Sequence, residues 1–257
     1  MKGGAAKAGH AASPGAPVAD LFSAAVAHQQ AGRFEDAVTA YRRLLALRPD
    51  LPEAQFNLGV ALARLGRFEE AAGCFRRAIA HRPDYTAAHN NLGTALRELG
   101  RPGEAEAAFR AVTRLAPDLP QAHFNLGNAL KALGRADAAE AAYRSALGLK
   151  PDYHDAGFNL ATLLLARGDM APGWEAFEAR WHTAAMRADR RDFAVPLWRG
   201  EAGDGGTLLI HAEQGFGDTL QFCRYAPLAA ARGWRVVLEV QPPLVRLLAG
   251  LPGIARI

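Results

Sequence analysis

The chain has 257 residues, of which 50% are hydrophobic, 22% charged and 8% aromatic, with a formal net charge of +4. This composition excludes collagen-like, wholly disordered and disulfide-scaffold classes, and the small positive charge makes no case for nucleic acid as a partner. No stretch approaches the ~18 uninterrupted apolar residues of a membrane span. Residues Met1 to Val18 are broken up by Gly, Lys, His, Ser and Pro, unlike the apolar core of a secretory signal. Cys74 and Cys223 stand alone, which argues against a zinc site or disulfide framework and fits a reducing cytoplasm. We therefore expect a cytoplasmic protein with no metal and no cofactor. All four tryptophans follow residue 173, a first sign of two different regions.

Residues 1–17 are expected to form a disordered tail. From Val18 a repeat takes over. Pro49, Pro83, Pro117 and Pro151 are spaced by 34 residues, and each is followed by Asp. Gly32, Gly66, Gly100, Gly134 and Gly168 keep the same step, as do Tyr41, Phe75, Phe109, Tyr143 and Phe177. Ala37, Ala71, Ala105 and Ala139 complete the frame, with Gly173 in the fifth slot. The spacing predicts five helical hairpins, over 18–48, 49–82, 83–116, 117–150 and 151–182.

The second hairpin illustrates the chemistry. Asp50 is placed to cap its first helix, with Glu53 in capping-box relation. Phe56, Leu58, Leu62 and Leu65 come next at helical spacing, and Gly66 stops the helix. The second helix carries Phe68, Ala71, Ala72, Phe75, Ala78 and Ile79 before Pro83 ends it. Small residues at Gly59, Ala71 and Ala78 permit close approach, while Phe75 fills the space between neighbours. One hairpin cannot bury its apolar face, whereas stacked copies share a core.

The pattern Asn-Leu-Gly…Ala…Phe/Tyr…Ala…Pro resembles the tetratricopeptide repeat (TPR), matching best over residues 50–151, where Val112 stands for the late alanine of the third repeat. The first repeat departs at Ala24 and His28, as suits a solvent-facing end. The fifth departs at Ala161 and Arg180, as suits docking onto the region C-terminal to it. The resemblance implies a right-handed α-solenoid whose concave groove takes a protein or peptide ligand. Asn57, Asn91, Asn125 and Asn159 recur beside the core leucines, and are the expected groove residues. In O-linked N-acetylglucosamine transferase superhelices, which these repeats resemble, an asparagine ladder grips peptide backbone, using amides that both donate and accept. The alternative is that these amides cap or pack between repeats. Arg42, Arg76, Arg110 and Arg144 form a second register, expected as a solvated basic stripe or else a site for an acidic partner. His81, His89, His123 and His154 are scattered and expected to be solvated or groove-lining. Cys74 is expected to be a small apolar filler.

Residues 183–206 read as a linker: Arg187, Asp189, Arg190, Arg191 and Asp192, then Pro196-Leu197-Trp198, then glycines. Thr207–Ile210 is predicted as a strand, Thr219–Arg232 as a helix, Arg235–Val240 as a strand, Pro243–Leu251 as a helix and Ala255–Ile257 as the opening of a third strand. This succession begins an incomplete Rossmann-like α/β segment, so the fold class is mainly α with an α/β end. Gly215 and Gly217 allow a tight turn and close approach of a ligand. One reading is a dinucleotide site with Glu239 as the acidic residue, although Leu220 replaces the third glycine and would obstruct helix–strand packing.

The other reading is a resemblance. His211-Ala-Glu-Gln-Gly-Phe-Gly-Asp-Thr-Leu-Gln-Phe222, with Arg224-Tyr225, is similar to bacterial TPR proteins carrying a GT-B glycosyltransferase domain of the family 9, heptosyltransferase-like kind. The motifs around Trp174, Arg180-Trp181 and Pro196-Leu197-Trp198 match the junction of such proteins. The resemblance implies that Asp218 is the base acting on the acceptor hydroxyl; the alternative is that it only caps its helix. His211, Glu213, Gln214, Gly215 and Gly217 would form the phosphate or acceptor loop. Residues 207–257 would be the truncated N-terminal part of that domain. A nucleotide-sugar is thus expected only in a full-length form, and no transferase activity from these 257 residues.

Overall fold

A computed structural model describes residues 16–184, 186–187, 191, 193–213 and 215–257. The expected tail up to residue 15, three residues of the charged linker (Asp189, Arg190, Asp192) and the loop residue Gln214 lie outside the described residues. The chain divides into two compact units, one ending at Thr183 and the other beginning at Ala184.

The first unit is built of helical hairpins. They are α1 (Ala16–Gln30) with α2 (Phe34–Leu47), α3 (Pro52–Arg64) with α4 (Phe68–His81), α5 (Thr86–Glu98) with α6 (Pro102–Leu115), α7 (Pro120–Ala132) with α8 (Ala136–Leu149), and α9 (His154–Arg167) with α10 (Met170–Phe177). Each second helix packs on the first helix of the next hairpin, so the apolar faces form a shared core. Ala37, Tyr41, Ala71, Phe75, Ala105, Phe109, Ala139 and Tyr143 are all buried. Between the helices of each hairpin, Gly32, Gly66, Gly100, Gly134 and Gly168 take positive φ of 69–94°. There the backbone closes in a six-to-one turn, as in Arg67 N–H donating to Leu62 O at 3.0 Å.

Gly59, Gly93 and Gly127 serve another purpose. A Cβ at each would lie 2.6 Å from the ring of Phe75, Phe109 or Tyr143 respectively, so the hairpin closes only without a side chain there. Cys74 is buried as expected of an apolar filler; burial raises its thiol above the ordinary range, against a smaller pull from Arg77.

The expected capping box does not form. α3 is preceded by Leu51 in extended backbone with no side-chain cap, and the carboxylates are taken elsewhere. Asp50 accepts from Arg48 at 3.0 Å, and Glu53 pairs with Arg82 at the far end of α4. An arginine outcompetes a single backbone N–H because its hydrogen bond is charge-assisted. The fifth hairpin is short: α10 ends at Phe177 and a 3-10 turn continues over Glu178–His182. Within it Arg180, only 9% exposed, stacks over Phe177 and Trp181, which explains its place in an alanine register.

The second unit has a parallel sheet in the order β1 (Thr207–His211), β2 (Arg235–Glu239), β3 (Ile254–Arg256). Leu208 pairs with Val236 and Ile210 with Leu238, and this face packs on Ala226 and Ala229. The helix expected over 219–232 starts earlier and is interrupted: α11 (Phe216–Phe222), a 3-10 turn (Cys223–Tyr225), then α12 (Ala226–Ala231). Pro227 sits at the start of α12, where its missing N–H is tolerated and continuation from α11 is not. The helix expected over 243–251 is a 3-10 turn (Pro242–Leu244) and the short α13 (Val245–Leu248). Part of the expected linker is tied to this unit. Trp198 and Trp234 both donate Nε1–H to Glu201 O at 2.9 Å, and Gly203 N–H donates to Arg232 O at 2.7 Å.

Gly93→Ala is expected to destabilise the repeats by about 1–3 kcal/mol, since its methyl would meet Phe109. Gly148→Ala, with nothing within 4 Å of the new methyl, is expected to be neutral or to stabilise by up to ~1 kcal/mol. Urea unfolding of the two variants checks the contrast.

Candidate functional site

The asparagine register does not have one uniform environment. Asn125 is buried, 6% exposed. It donates to Asn90 Oδ1 of the preceding repeat at 2.9 Å and accepts from Gln121 at 3.0 Å. Asn159 donates to Asn128 Oδ1 at 2.8 Å, an oxygen that also accepts from the Tyr143 hydroxyl at 2.9 Å. Asn57 and Asn91 are half-buried. Asn90 and Asn128 escape a reading by register because neither register repeats its amide: Asn90 stands where Phe56, Phe124 and Phe158 recur, and Asn128 where Val60, Thr94 and Thr162 stand. A departure from register is the available signal.

At the other end of the array, Asn57 lines a cavity of about 420 Å³ with Gln29, Tyr41, Val60 and Arg64 among its walls. Burial pushes the Tyr41 hydroxyl up to about 12, against a smaller opposing pull from Asn57, so it remains neutral. Asn57 lies beside that hydroxyl without completing a hydrogen bond. Among the described residues, the buried Tyr41 Oη and Gln29 Oε1 have no partner. The repeat explains why: Val26 stands in the register where Asn128 receives the hydroxyl of Tyr143.

The arginine register is exposed, as expected of a solvated stripe, but each guanidinium has a carboxylate partner. Arg42 donates to Glu70 at 2.8 Å and Arg76 to Glu104 at 3.1 Å, each reaching the next repeat. Arg67 and Arg101 grip the same carboxylates from their own repeats. In later repeats the carboxylate moves two residues along. Glu106 is held by Arg110 and Arg135, and Glu140 by Arg144 and Arg167. Arg42 and Arg76 thus pair across repeats, whereas Arg110 and Arg144 pair within their own helices and the link to the next repeat comes from Arg135 and Arg167. Three of the four histidines also have structural partners: His89 and His123 contact the carbonyls of Pro83 and Pro117 at 2.9 and 2.7 Å, tying the inter-repeat turns, and His154 stacks on the His182 ring at 4.5 Å.

Family models described as tetratricopeptide repeat match residues 22–78, 63–120 and 120–153. The chain belongs to the tetratricopeptide-repeat proteins. Its fold is similar to that of MamA from Desulfovibrio magneticus RS-1, with a TM-score of 0.62 at 22% identity over 65% of this chain and 94% of that one. YrrB, described as a TPR protein with an unusual peptide-binding site, gives a TM-score of 0.58 at 20% identity over 63% of this chain and 84% of that one. At such identities the likeness concerns the fold. FlbA of Caulobacter vibrioides is 38% identical over 63 residues, 24% of this chain. That match spans 11% of the length of FlbA.

The tetratricopeptide matches end at residue 153, and the α/β loop lies beyond them. His211 ends β1 beside the Phe193 ring, and Glu213, two residues on, is exposed. Gly215 precedes α11 at φ −62°, and neither it nor Gly217 takes positive φ, so the expected need for glycine in a tight turn is absent. A Cβ at either position would meet nothing within 4 Å. Asp218 is exposed in the first turn of α11 and makes no cap bond to its helix. Leu220 is 42% exposed and so is not wedged between helix and sheet as expected. Glu239 is engaged by Arg191, whose hydrogen bond holds its carboxyl below the ordinary range. Among the described residues no group of His, Cys, Asp and Glu could hold a metal ion, and no helix is long and apolar enough to cross a membrane.

The arginine-held carboxylates of the array set its acid behaviour. Arg67 holds Glu70, and Arg82 holds Glu53, below the ordinary carboxylate range. A depressed folded value contributes stability that is complete above the unfolded value of about 4.3 and is lost as pH falls towards the folded one. Thermal midpoints are thus expected to hold from pH 7 to about pH 5 and to decline below about pH 4. Glu140→Gln, removing a buried carboxylate shared by two arginines, is expected to cost about 1–2 kcal/mol in urea unfolding at pH 7.

Proposed function

We propose that the repeats form a protein–protein interaction module that holds extended peptide segments along the face carried by its first helices. The observation that carries this reading is the cavity beside Asn57, where two buried polar atoms, Gln29 Oε1 and Tyr41 Oη, are without partners. A buried acceptor left unpaired costs roughly 1–3 kcal/mol, which a ligand's backbone N–H would recover on binding. Asn57 offers both a donor and an acceptor to the same backbone, and Arg64 adds a cation at the wall. We assign peptide contact to Asn57 and Asn91. Asn125 and Asn159 serve chiefly to fix the spacing of neighbouring repeats through Asn90 and Asn128.

A second reading concerns a longer form carrying a complete glycosyltransferase domain. It is supported by parallel strands in consecutive order and by His211, Glu213, Gly215, Gly217 and Asp218 gathering at the C-terminal end of β1. In that form Asp218 would take the proton of an acceptor hydroxyl, with sugar supplied by a nucleotide donor. The 257-residue chain itself is expected to show no sugar-nucleotide hydrolysis.

Tyr41→Phe and Asn57→Ala separate a binding role from a structural one. Tyr41→Phe removes an unpartnered hydroxyl, so its thermal midpoint should match or exceed that of the parent. Capture of clones from a displayed random peptide library should fall severalfold in both variants. Unchanged capture in both would remove peptide binding from this cavity.

A further inference from the structure

The junctions between repeats alternate in a way the 34-residue step conceals. At the second-to-third junction the Tyr85 ring lies 5.0 Å from Phe56, and the Arg82 guanidinium sits 4.7 Å from its centroid. Arg82 also pairs with Glu53, so one guanidinium touches both a ring and a carboxylate. The fourth-to-fifth junction repeats the arrangement: Tyr153 lies 5.0 Å from Phe124, the Lys150 ammonium is 5.6 Å from the ring, and the tyrosine hydroxyl donates to Gln121. In the same registers, the first-to-second junction carries Phe22, Leu51, Arg48 and Ala19. The aromatic platform and the cation are kept, whereas the ring and the carboxylate are gone. In their place is an open cavity of about 780 Å³, with Val18, Ala19, Phe22, Arg48 and Leu51 among its walls, and also Glu53, whose carboxylate is already held by Arg82. The third-to-fourth junction, with Asn90, Leu119, Ala116 and Ala87, has lost platform and cation as well. Among the described junctions, only the first keeps half of the clamp.

We propose that this cavity receives an aromatic side chain adjacent to a carboxylate, presented by a segment of a partner protein. The chain's own Tyr85 and Glu53 define the complement: a ring stacked against the phenylalanine and an anion within reach of the same guanidinium. Stacking on Phe22 and a cation–π contact from Arg48 select the ring. Arg48 is exposed and held by its sequence neighbour Asp50, a surface pair that gives way readily to a new anion. Residues 1–15 carry no aromatic and no acidic residue with which to fill the space. The lining shares no residue with the cavity around Asn57, so this site stands apart from the amide-bearing face.

The test uses the full chain, isotope-labelled, titrated with the blocked dipeptide acetyl-Tyr-Glu-amide and followed by chemical shifts at Ala19, Phe22 and Leu51. Acetyl-Leu-Glu-amide and acetyl-Tyr-Lys-amide are expected to bind about tenfold more weakly, losing the ring or the anion. The double variant Ala19→Glu/Leu51→Tyr copies the filled junction; it should melt at a higher temperature and no longer respond to the dipeptide. Asn57→Ala should leave the response unchanged, which keeps this site's fate separate from that of the amide face. No shift at these residues, equal binding of the leucine dipeptide, or a double variant that melts lower would each overturn the assignment. So would concentration-dependent shifts without ligand, which would give the cavity to a second copy of the chain.

Discussion

The repeat region depends on a closeness of helices that only hydrogen at Cα permits. At Gly59, Gly93 and Gly127 an aromatic ring from the second helix lies where a side chain would start. That ring is the largest buried group of each hairpin, and it also touches the first-helix aromatic where one is present. Spacing inside a hairpin therefore sets how the next hairpin is received, and with it where the outward amides fall. Because interiors are packed to crystal density, a shift of one methyl at these points would propagate along the array.

Much of this was legible because the step of 34 residues is kept by residues with one physical job each. Glycines at 32, 66, 100, 134 and 168 mark turns, prolines mark helix ends, and alanines mark contacts. What the register hid was partnership. Asp50 and Glu53 have the spacing of a cap, yet arginines two residues before and twenty-nine residues after them claim the carboxylates. The arginines at 42, 76, 110 and 144 look alike, but the acids that neutralise them sit at 70 and 104 in one half and at 106 and 140 in the other. Periodicity reveals what repeats; an interaction that is kept while its donor or acceptor moves is invisible to it.

The same logic separates the amide register into two roles. Asn125 and Asn159 are spent on neighbours because Asn90 and Asn128 happen to stand opposite them. Where Val26 replaces an amide, Tyr41 is left wanting, and polar capacity faces a cavity instead of a neighbour. In the α/β unit, the succession of three strands followed from the alternation of apolar runs and glycines. The helix between the strands did not, because Pro227 divides it at a point that composition alone treats as continuous.

Cys74 gives the array a practical handle. It is the one sulfhydryl of the repeats, 2% exposed, with Arg77 at 3.1 Å from its sulfur. A maleimide can reach it only when the second hairpin parts from its neighbours. Once the more accessible Cys223 is changed to serine, the rate of that alkylation is a clock for breathing in the middle of the stack.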